Sequence, residues 1–449
     1  MNQVTSTGGG TIRILIVGGG PAGLATARRL QRVLRDQLRA GLAEITVVEA
    51  APYLTYRPLL AEVAAGSIDP RHVVVPLRPA LPDCRVLTAR ISRIDHARRL
   101  AWIAPQDGVE VELPYDELVL TVGSISRTRP VPGLAEHGVG FETVGEAVSL
   151  RNHVLAQLDL ASSTRDIELR HAALTFVFVG GGYGGVGALA ELEDMARYAL
   201  RDYPNIQSDD LRWVLVEATG RILAEADPQL AAHTLVQLRE RNVDVRLNTR
   251  LESAHGPIAL SDGSRFAART LVWTAGVRPA PLLAATDLPL GPDGRVVCLD
   301  TLQVAGPGGG PLPGAWAAGD CAAVPDPETG QCPPNVQQAL AQAERLADNL
   351  AAVAVGRPAL PYRPERTYAS TSLGLRRAVA HTRGRSLTGR RAWLLHRART
   401  LRRLPSTDRR VRILADWLLG SLFSREMVSL GSVEHPRAEF QAALSENDH

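Results

Sequence analysis

Two sets of three glycines, each followed by a carboxylate, are the residues of this chain best suited to chemistry. Gly18, Gly20 and Gly23 come directly after the apolar run Ile14-Leu15-Ile16-Val17, and Gly180, Gly182 and Gly185 directly after Leu174-Thr175-Phe176-Val177-Phe178-Val179. Each set then opens an apolar-periodic stretch: Leu24-Ala25-Thr26-Ala27 in the first case, Val186 to Met195 in the second. In a strand, turn and helix of this kind one glycine permits the tight turn and one lets the backbone approach a pyrophosphate. The third lets helix and strand pack closely, while the helix N-terminus faces the anion. A further apolar strand then ends in an acid, Ile45-Thr46-Val47-Val48-Glu49 after the first loop and Trp213-Val214-Leu215-Val216-Glu217 after the second. A carboxylate there accepts hydrogen bonds from ribose hydroxyls and disfavours a 2′-phosphate, so NAD is expected over NADP at the second loop. One such glycine pattern is a weak signal. Two of them, each with strand, helix and acid in register, predict two bound dinucleotides.

The elements that must position these groups follow from periodicity. Alternating strand and helix patterns from Ile12 to about Phe141 predict a first doubly wound unit, with Tyr115 to Ser124 a later strand that leaves into a glycine turn. A helical stretch from Val144 to about Ala161 bridges to a second unit, roughly Ala172 to Leu290, which has its own strand-to-glycine exit at Leu271-Val272-Trp273-Thr274-Ala275-Gly276. Loop, acid and exit recur in the same order, the pattern of a diverged internal duplication. Ala315-Trp316-Ala317-Ala318-Gly319-Asp320 then predicts a short strand returning to the first unit, and Pro333-Pro334 lead into a helix from about Asn335 to Val353. The expected fold class is α/β, with two Rossmann-like dinucleotide-binding domains and a C-terminal module of amphipathic helices. The expected boundaries are a flexible tail at 1–11 containing Gly8-Gly9-Gly10, a first dinucleotide domain in two parts at 12–150 and 293–360, a second at 172–292, and the C-terminal module at 361–449.

Composition removes several chemistries. The 449 residues allow two to three domains of ordinary composition, and every basic side chain besides histidine is arginine, so Schiff-base chemistry and lysine general bases are excluded. Cys84, Cys298, Cys321 and Cys332 are sparse and lack metal-ligand spacing; no metal site is expected, and a reducing cytoplasmic setting fits. No charged leader precedes an apolar core, and no apolar run is long enough to span a bilayer. The formal charge of +3 is unevenly placed: thirteen arginines and two histidines lie between Arg376 and Arg412, against the single acid Asp408. No recognised motif accompanies them that would favour nucleic acid, and anionic lipid is the better match. Within this block Thr388 to Leu404 and Thr407 to Ser424 predict two helices broken at Pro405, the second with Val411, Leu414, Ala415, Leu418, Leu419, Leu422 and Phe423 at helical spacing. Two readings of residues 386–424 stay open: packing against the body or a dimer partner, and peripheral contact with an anionic membrane on the inner face of the cell membrane.

With both loops, the Gly-Asp strand and the proline-led helix in hand, the chain resembles the two-dinucleotide flavoproteins of glutathione-reductase-like architecture over nearly its whole length. More narrowly, Tyr53-Leu54-Thr55-Tyr56-Arg57-Pro58-Leu59-Leu60, Pro334-Asn335-Val336-Gln337-Gln338-Ala339-Leu340-Ala341-Gln342 and Val428-Ser429-Leu430-Gly431-Ser432 resemble type II NADH dehydrogenases, particularly the actinobacterial branch. The resemblance implies non-covalent FAD held at its pyrophosphate by Gly18, Gly20 and Gly23, at its ribose by Glu49 and at its ribityl and phosphate end by Asp320. Pro21, Ala22, Ala50, Ile91, Thr121, Gly123 and Gly319 complete that pocket, and Arg57, Pro58 and Leu59 lie by the flavin. It implies NADH on Gly180, Gly182 and Gly185 beside Tyr183, with Glu217 on the adenosine ribose and Ala275-Gly276 lining the nicotinamide path. Val336 and Gln337 at a helix N-terminus would face the flavin, where the helix dipole favours the anionic reduced form, and Gln337 and Gln342 would border a quinone pocket. A homodimer is also implied.

Two positions depart from the family pattern. Gly187 stands where a glutamate associated with proton handling or quinone access is usual, at a cost to its helix of about 1 kcal/mol relative to alanine, and Arg57 stands where glutamine is common. The segment from Tyr53 to Ser67 lacks the paired cysteines of the disulfide reductases, and no cysteine lies between Cys84 and Cys298, although sulfide:quinone oxidoreductases need one from mid-chain. Cys321 is expected to be a small core residue. The expected activity is electron transfer from NADH through FAD to a quinone. The alternatives are a repurposed flavoenzyme acting on an aromatic or quinone-like secondary metabolite, with weakened NADH:quinone activity, and a flavin-bearing redox sensor that has lost turnover.

Overall fold

The computed structural model describes residues 10–105, 108–364, 368–382, 385–423, 425 and 427–428. The proposed tail glycines Gly8 and Gly9 and residues 429–432 of the C-terminal resemblance lie outside them. The described chain packs as two compact units, one from residues of 1–55, 74–125 and 277–366, the other from residues of 56–73, 126–276 and 367–449.

In the first unit the apolar run at the start of the chain becomes the strand Ile12–Val17, whose Ile14 to Val17 are all buried. It lies between Ala43–Glu49 and Glu117–Leu120, parallel to both, with Ile14 opposite Ile45 on one side and Glu117 on the other. Arg85–Thr88 extends the sheet beyond Ala43–Glu49, while Pro311–Ala317 and then the antiparallel Gln303–Ala305 extend it beyond Glu117–Leu120. Later strands add on both sides of the central one, which makes its C-terminal end a switch point of the kind at which open α/β sheets bind ligands. The helices Pro21–Val33 and Val336–Ala354 pack through the small side chains Ala22, Ala339 and Ala343, and Arg29 ties them by an ion pair to Asp348 at 2.7 Å.

The second unit repeats the scheme. Thr175–Val179, buried at every residue, lies between Arg212–Val216 and Thr270–Trp273, all parallel, with Val243–Arg246 and the short Gly138–Val139 at the two edges. The bridging stretch is the helix Val144–Ser163, opened by a reciprocal capping box between Thr143 and Glu146. Nearer the C-terminus the predicted helices form at Gly389–Arg403 and Thr407–Leu422. They are preceded by an antiparallel sheet of Tyr368–Ser372, Ala378–Thr382 and Arg385–Thr388 that the sequence reading did not include.

Candidate functional site

The first loop is built around a backbone that admits no side chains at two of its glycines. Gly18 has φ +101°, and a Cβ there would run into the Thr121 carbonyl; its N–H donates to Val48 O at 2.9 Å. A Cβ on Gly23 would collide with the Gly18 carbonyl oxygen, so this glycine sets the close packing of helix on strand. Gly20 is different: no protein atom lies within 4 Å of where its Cβ would be. The helix that follows has proline at its start and no side-chain cap, leaving its first-turn amides for a ligand. Glu49 accepts the N–H of Gly19 at 2.6 Å and that of Ala50 at 2.7 Å, which fixes the carboxylate at the edge of the loop.

The other expected first-loop groups converge through Gly319. This residue has φ +80°, and a Cβ on it would lie 3.3 Å from Ala22 and 3.5 Å from Ala339, at the N-terminal ends of both packed helices. Gln342, buried, accepts the Gly319 N–H at 2.8 Å and so holds the Gly-Asp turn, while Asp320 accepts from the Ser124 hydroxyl at 2.7 Å. Asn335 caps the helix Val336–Ala354 by accepting from the amides of Gln337 and Gln338 at 3.0 and 2.9 Å, and Val336 and Gln337 are half-buried. Gly123 takes φ +65° just past the strand. Ile91 lies half-buried in a separate antiparallel strand, Arg90–Asp95, opposite Ile103.

The second loop reproduces the first atom for atom in several respects. Gly180 has φ +116°, donates to Val216 O at 2.9 Å and would place a Cβ 2.6 Å from the Thr274 carbonyl carbon. A Cβ on Gly185 would collide with the Gly180 carbonyl oxygen, whereas the space beside Gly182 is empty to 4 Å. The helix Tyr183–Ala199 likewise has no side-chain cap. Glu217 accepts the Gly181 N–H at 2.7 Å and both the N–H and the hydroxyl of Thr219 at 2.8 Å. The Tyr183 hydroxyl is buried with no hydrogen-bond partner among the described residues, and burial pushes it up to about 12. Ala275 is half-buried and Gly276, at φ +78°, ends the exit turn. Open glycines and uncapped helices fit a dinucleotide pyrophosphate at each loop, and the orphaned Tyr183 hydroxyl adds a ligand-directed group at the second.

Threonine hydroxyls lock both turns, a role the sequence did not signal. Thr121 donates its hydroxyl to Val17 O at 3.0 Å and Gly18 O at 2.9 Å; Thr274 donates to Val179 O at 3.1 Å and Gly180 O at 3.0 Å. Thr121 was legible only as part of the resemblance, and Thr274 only as a strand residue.

The two departures have local explanations. Arg57 forms an ion pair with Glu142 at 2.8 Å, so its charge has a partner, and Leu59 beside it is fully buried. At Gly187 a Cβ would lie 3.1 Å from Thr371 Oγ1 and 3.8 Å from the Ala61 Cβ. The strand Tyr368–Ser372 lies on this helix turn, and any side chain at 187 would need the Thr371 hydroxyl to shift by a few tenths of an ångström. One helical turn further on, Glu191 is buried and accepts the Ser372 hydroxyl. Glu62, also buried, accepts from Arg397 Nη2 at 2.9 Å and Trp417 Nε1 at 2.7 Å. Arg397 is stacked over Trp393 at 4.0 Å and Trp417 at 4.3 Å. Burial, and then the nearby Glu62 charge, push Glu191 well above the usual carboxylate range, to about 7. This buried network was not foreseen.

Cys321 is the small core residue expected: it is fully buried, contacts the Leu120 and Ala318 carbonyls at 3.5 and 3.4 Å, and is pushed up to about 11 by burial, which keeps it a thiol. Among the described residues no group of histidine, cysteine and acidic side chains could hold a metal.

The family model described as pyridine nucleotide-disulphide oxidoreductase matches residues 12–343. The chain belongs to that family. It is 26% identical over 399 residues to a protein of Dictyostelium discoideum named probable NADH dehydrogenase, covering 86% of each. It is 28% identical over 371 residues to the type II NADH:quinone oxidoreductase of Haemophilus influenzae, covering 77% of this chain and 81% of the relative. Among solved structures, NDH2 from Plasmodium falciparum in complex with NADH shares the fold at a TM-score of 0.84, with 15% identity over 93% of this chain and all of that one. The match places the chain among oxidoreductases of α/β fold, as the two glycine loops had implied. The cysteine pair of the family's disulphide reductases is absent.

Proposed function

We propose that this enzyme passes electrons from NADH through FAD to a quinone. The observation that carries the reading is one chain with two cradles of matched geometry and no cysteine pair to receive electrons from the first of them. Bound FAD would supply hydride acceptance and two-electron delivery; the chain supplies position and field. Gly18, Gly20 and Gly23 with Glu49 hold the flavin nucleotide, and Asp320, steadied by Ser124 and by the Gln342–Gly319 bond, orients its ribityl end. Gly180, Gly182 and Gly185 receive the NADH pyrophosphate, and the carboxylate of Glu217 takes the ribose and repels a 2′-phosphate. The relatives named as NADH:quinone oxidoreductases support the acceptor, and the resemblance supports Gln337 and Gln342 at its pocket.

The test is anaerobic stopped-flow absorbance of the purified yellow protein with NADH and NADPH separately, followed by a soluble quinone. Fast bleaching by NADH and reoxidation by quinone is the expected result; bound FAD that neither nucleotide reduces would overturn the reading. Gly187 favours a second reading, a flavoenzyme turned to an aromatic metabolite, because no acid stands there and a Cβ would press on Thr371 Oγ1 at 3.1 Å. Slow reduction by NADH with fast reduction by such a metabolite would select it.

Attachment to the cytoplasmic face of a membrane belongs to the same proposal. On the helix Thr407–Leu422, Ile413 is buried, Asp416 binds His72 at 2.6 Å and Trp417 binds Glu62, while Val411, Leu414, Leu418, Leu419, Leu422 and Phe423 are all exposed. An apolar face turned outward beside Arg409, Arg410 and Arg412 suits anionic lipid. A homodimer partner is the other cover for this face. Among the described residues no helix is long and apolar enough to cross a membrane.

A further inference from the structure

A second basic feature shares no lining residue with either dinucleotide loop. A cavity of about 360 Å³ opens between the helix Pro228–Arg239 and the turn and helix start of the C-terminal sheet region. His233, Gln237, Arg376, Arg377, Gly389 and Arg390 line it, and no carboxylate is among the lining residues. Three arginines thus line one hollow; the nearest acids bond to other lining groups, Glu240 to the Gln237 amide at 2.7 Å and Asp194 to the Leu375 N–H at 3.3 Å, whereas arginine elsewhere in this unit is regularly paired with an acid, as in Arg57 with Glu142, Arg170 with Asp210 and Arg246 with Asp244.

The helix that borders the cavity adds to the imbalance. Gly389–Arg403 begins with Gly389, Arg390 and Arg391, has no acid in its first turn and no side-chain cap. Cations at a helix N-terminus oppose the macrodipole, so this start carries unfavourable charge that an anion would relieve. Gly389 has φ +67°, and no atom lies within 4 Å of where its Cβ would be, so the backbone there is open to approach. The planar, five-donor guanidinium suits phosphate oxygens in particular.

We propose that this cavity binds a phosphate-bearing ligand, either a soluble organic phosphate or the headgroup of an anionic phospholipid, at a site separate from the dinucleotide cradles. The volume accommodates a phosphate with a small organic substituent. His233 supplies a further hydrogen-bonding group on the wall contributed by Pro228–Arg239, beside Gln237, whose amide donates to Glu240 at 2.7 Å.

The test uses the FAD-loaded protein saturated with NAD, so that phosphate binding at the two glycine loops is blocked. Titration calorimetry with inorganic phosphate and sn-glycerol 3-phosphate reads the soluble source; flotation with phosphatidylcholine vesicles, with and without phosphatidic acid, reads the lipid source. The variants are Arg376→Ala combined with Arg390→Ala, and Arg390→Glu alone. The second places an acid in the first turn and favours the helix, so a loss of binding in it is not a loss of folding. Removing charge-assisted hydrogen bonds should weaken binding by roughly tenfold or more in both variants. Tight binding of the soluble phosphates identifies a metabolite site, and binding only to phosphatidic acid vesicles identifies a headgroup site. Unchanged affinity in both variants, or no binding of either phosphate source by the wild-type protein, overturns the proposal. Neither result bears on whether NADH reduces the flavin.

Discussion

Thr121 and Thr274 occupy the same position in two different sheets, each donating one hydroxyl to the last carbonyl of a strand and to the carbonyl of the first loop glycine. The backbone amides repeat the match: Thr121 N donates to Val17 O at 2.9 Å and Thr274 N to Val179 O at 2.8 Å. Because each clamp serves one loop, the two should separate functionally. Thr121→Val, which keeps shape and removes the donor at a cost of about 1–3 kcal/mol, is expected to release FAD on dialysis. Thr274→Val should keep its yellow colour and raise KM for NADH. Equal effects of the two variants on flavin retention would contradict this.

Gly182 and Gly185 make a sharper contrast. Alanine at Gly185 collides with the Gly180 carbonyl, whereas alanine at Gly182 meets no protein atom. Gly185→Ala should therefore lower Tm, by overpacking worth about 1–3 kcal/mol or more. Gly182→Ala should leave Tm in place and weaken NADH binding, because its methyl group occupies ligand space. Thermal denaturation beside NADH titration distinguishes them.

The glycine at 187 is held by its neighbour, and a pair of substitutions reads this out. Gly187→Glu alone should destabilise the protein, since a Cβ there would sit 3.1 Å from Thr371 Oγ1. Thr371→Ala should recover part of the loss when combined with it. If the double variant also reduces quinone faster than the wild-type protein, the missing acid limits the natural enzyme; an additive loss of Tm in the double variant would show that Thr371 is not the obstacle.

Glu191 predicts a pH dependence with a definite sign. Ser372 hydrogen-bonds to it, Glu62 and Asp194 repel its charge, and Arg425 attracts it; Arg397 is in its field as well. Its folded-state affinity for a proton is raised above that of the unfolded chain, where a glutamate titrates at about 4.3. The native state thus binds more protons between these values, and its stabilising contribution is lost as pH rises from the unfolded value through about 7. Glu191→Gln should flatten that slope and raise Tm at about pH 8 relative to wild type. Parallel Tm profiles for the two proteins would mean that folding does not raise the proton affinity of Glu191.

Changing Leu418, Leu422 and Phe423 together to serine should abolish flotation with anionic vesicles while Tm stays put, since none of the three is buried. Loss of a dimer by sedimentation, with flotation unchanged, would assign the same face to a partner subunit instead.

The parts of the site that were legible in the sequence are those whose requirement is local. Gly18, Gly20 and Gly23, and their counterparts from Gly180 on, announce a turn that side chains cannot make, and Glu49 and Glu217 end apolar runs at fixed offsets. The bridging helix, the helix after Asn335 and the two C-terminal helices follow from caps and periodicity, and the structure has them within a few residues. What was missed is long-range. A threonine hydroxyl bonded to a carbonyl 103 positions earlier leaves no local mark. The strand Tyr368–Ser372 is small and polar, and it becomes a strand by pairing with Ala378–Thr382 and lying on the Gly187 turn. The apolar stripe of Thr407–Leu422 was correctly read as amphipathic, but its outward orientation is decided by Asp416 and Trp417, whose partners His72 and Glu62 lie far back in the sequence.

The tie at Glu62 also sets a timetable for biogenesis. Its two donors, Arg397 and Trp417, are 335 and 355 positions downstream. At about 5–20 residues per second of translation, the carboxylate emerges from the ribosome roughly 15–70 s before either partner exists. Nascent chains therefore pass through a long interval with an acid exposed in a segment destined for the interior. A C-terminally truncated product stays in that state permanently, as a natural client for chaperones and proteases.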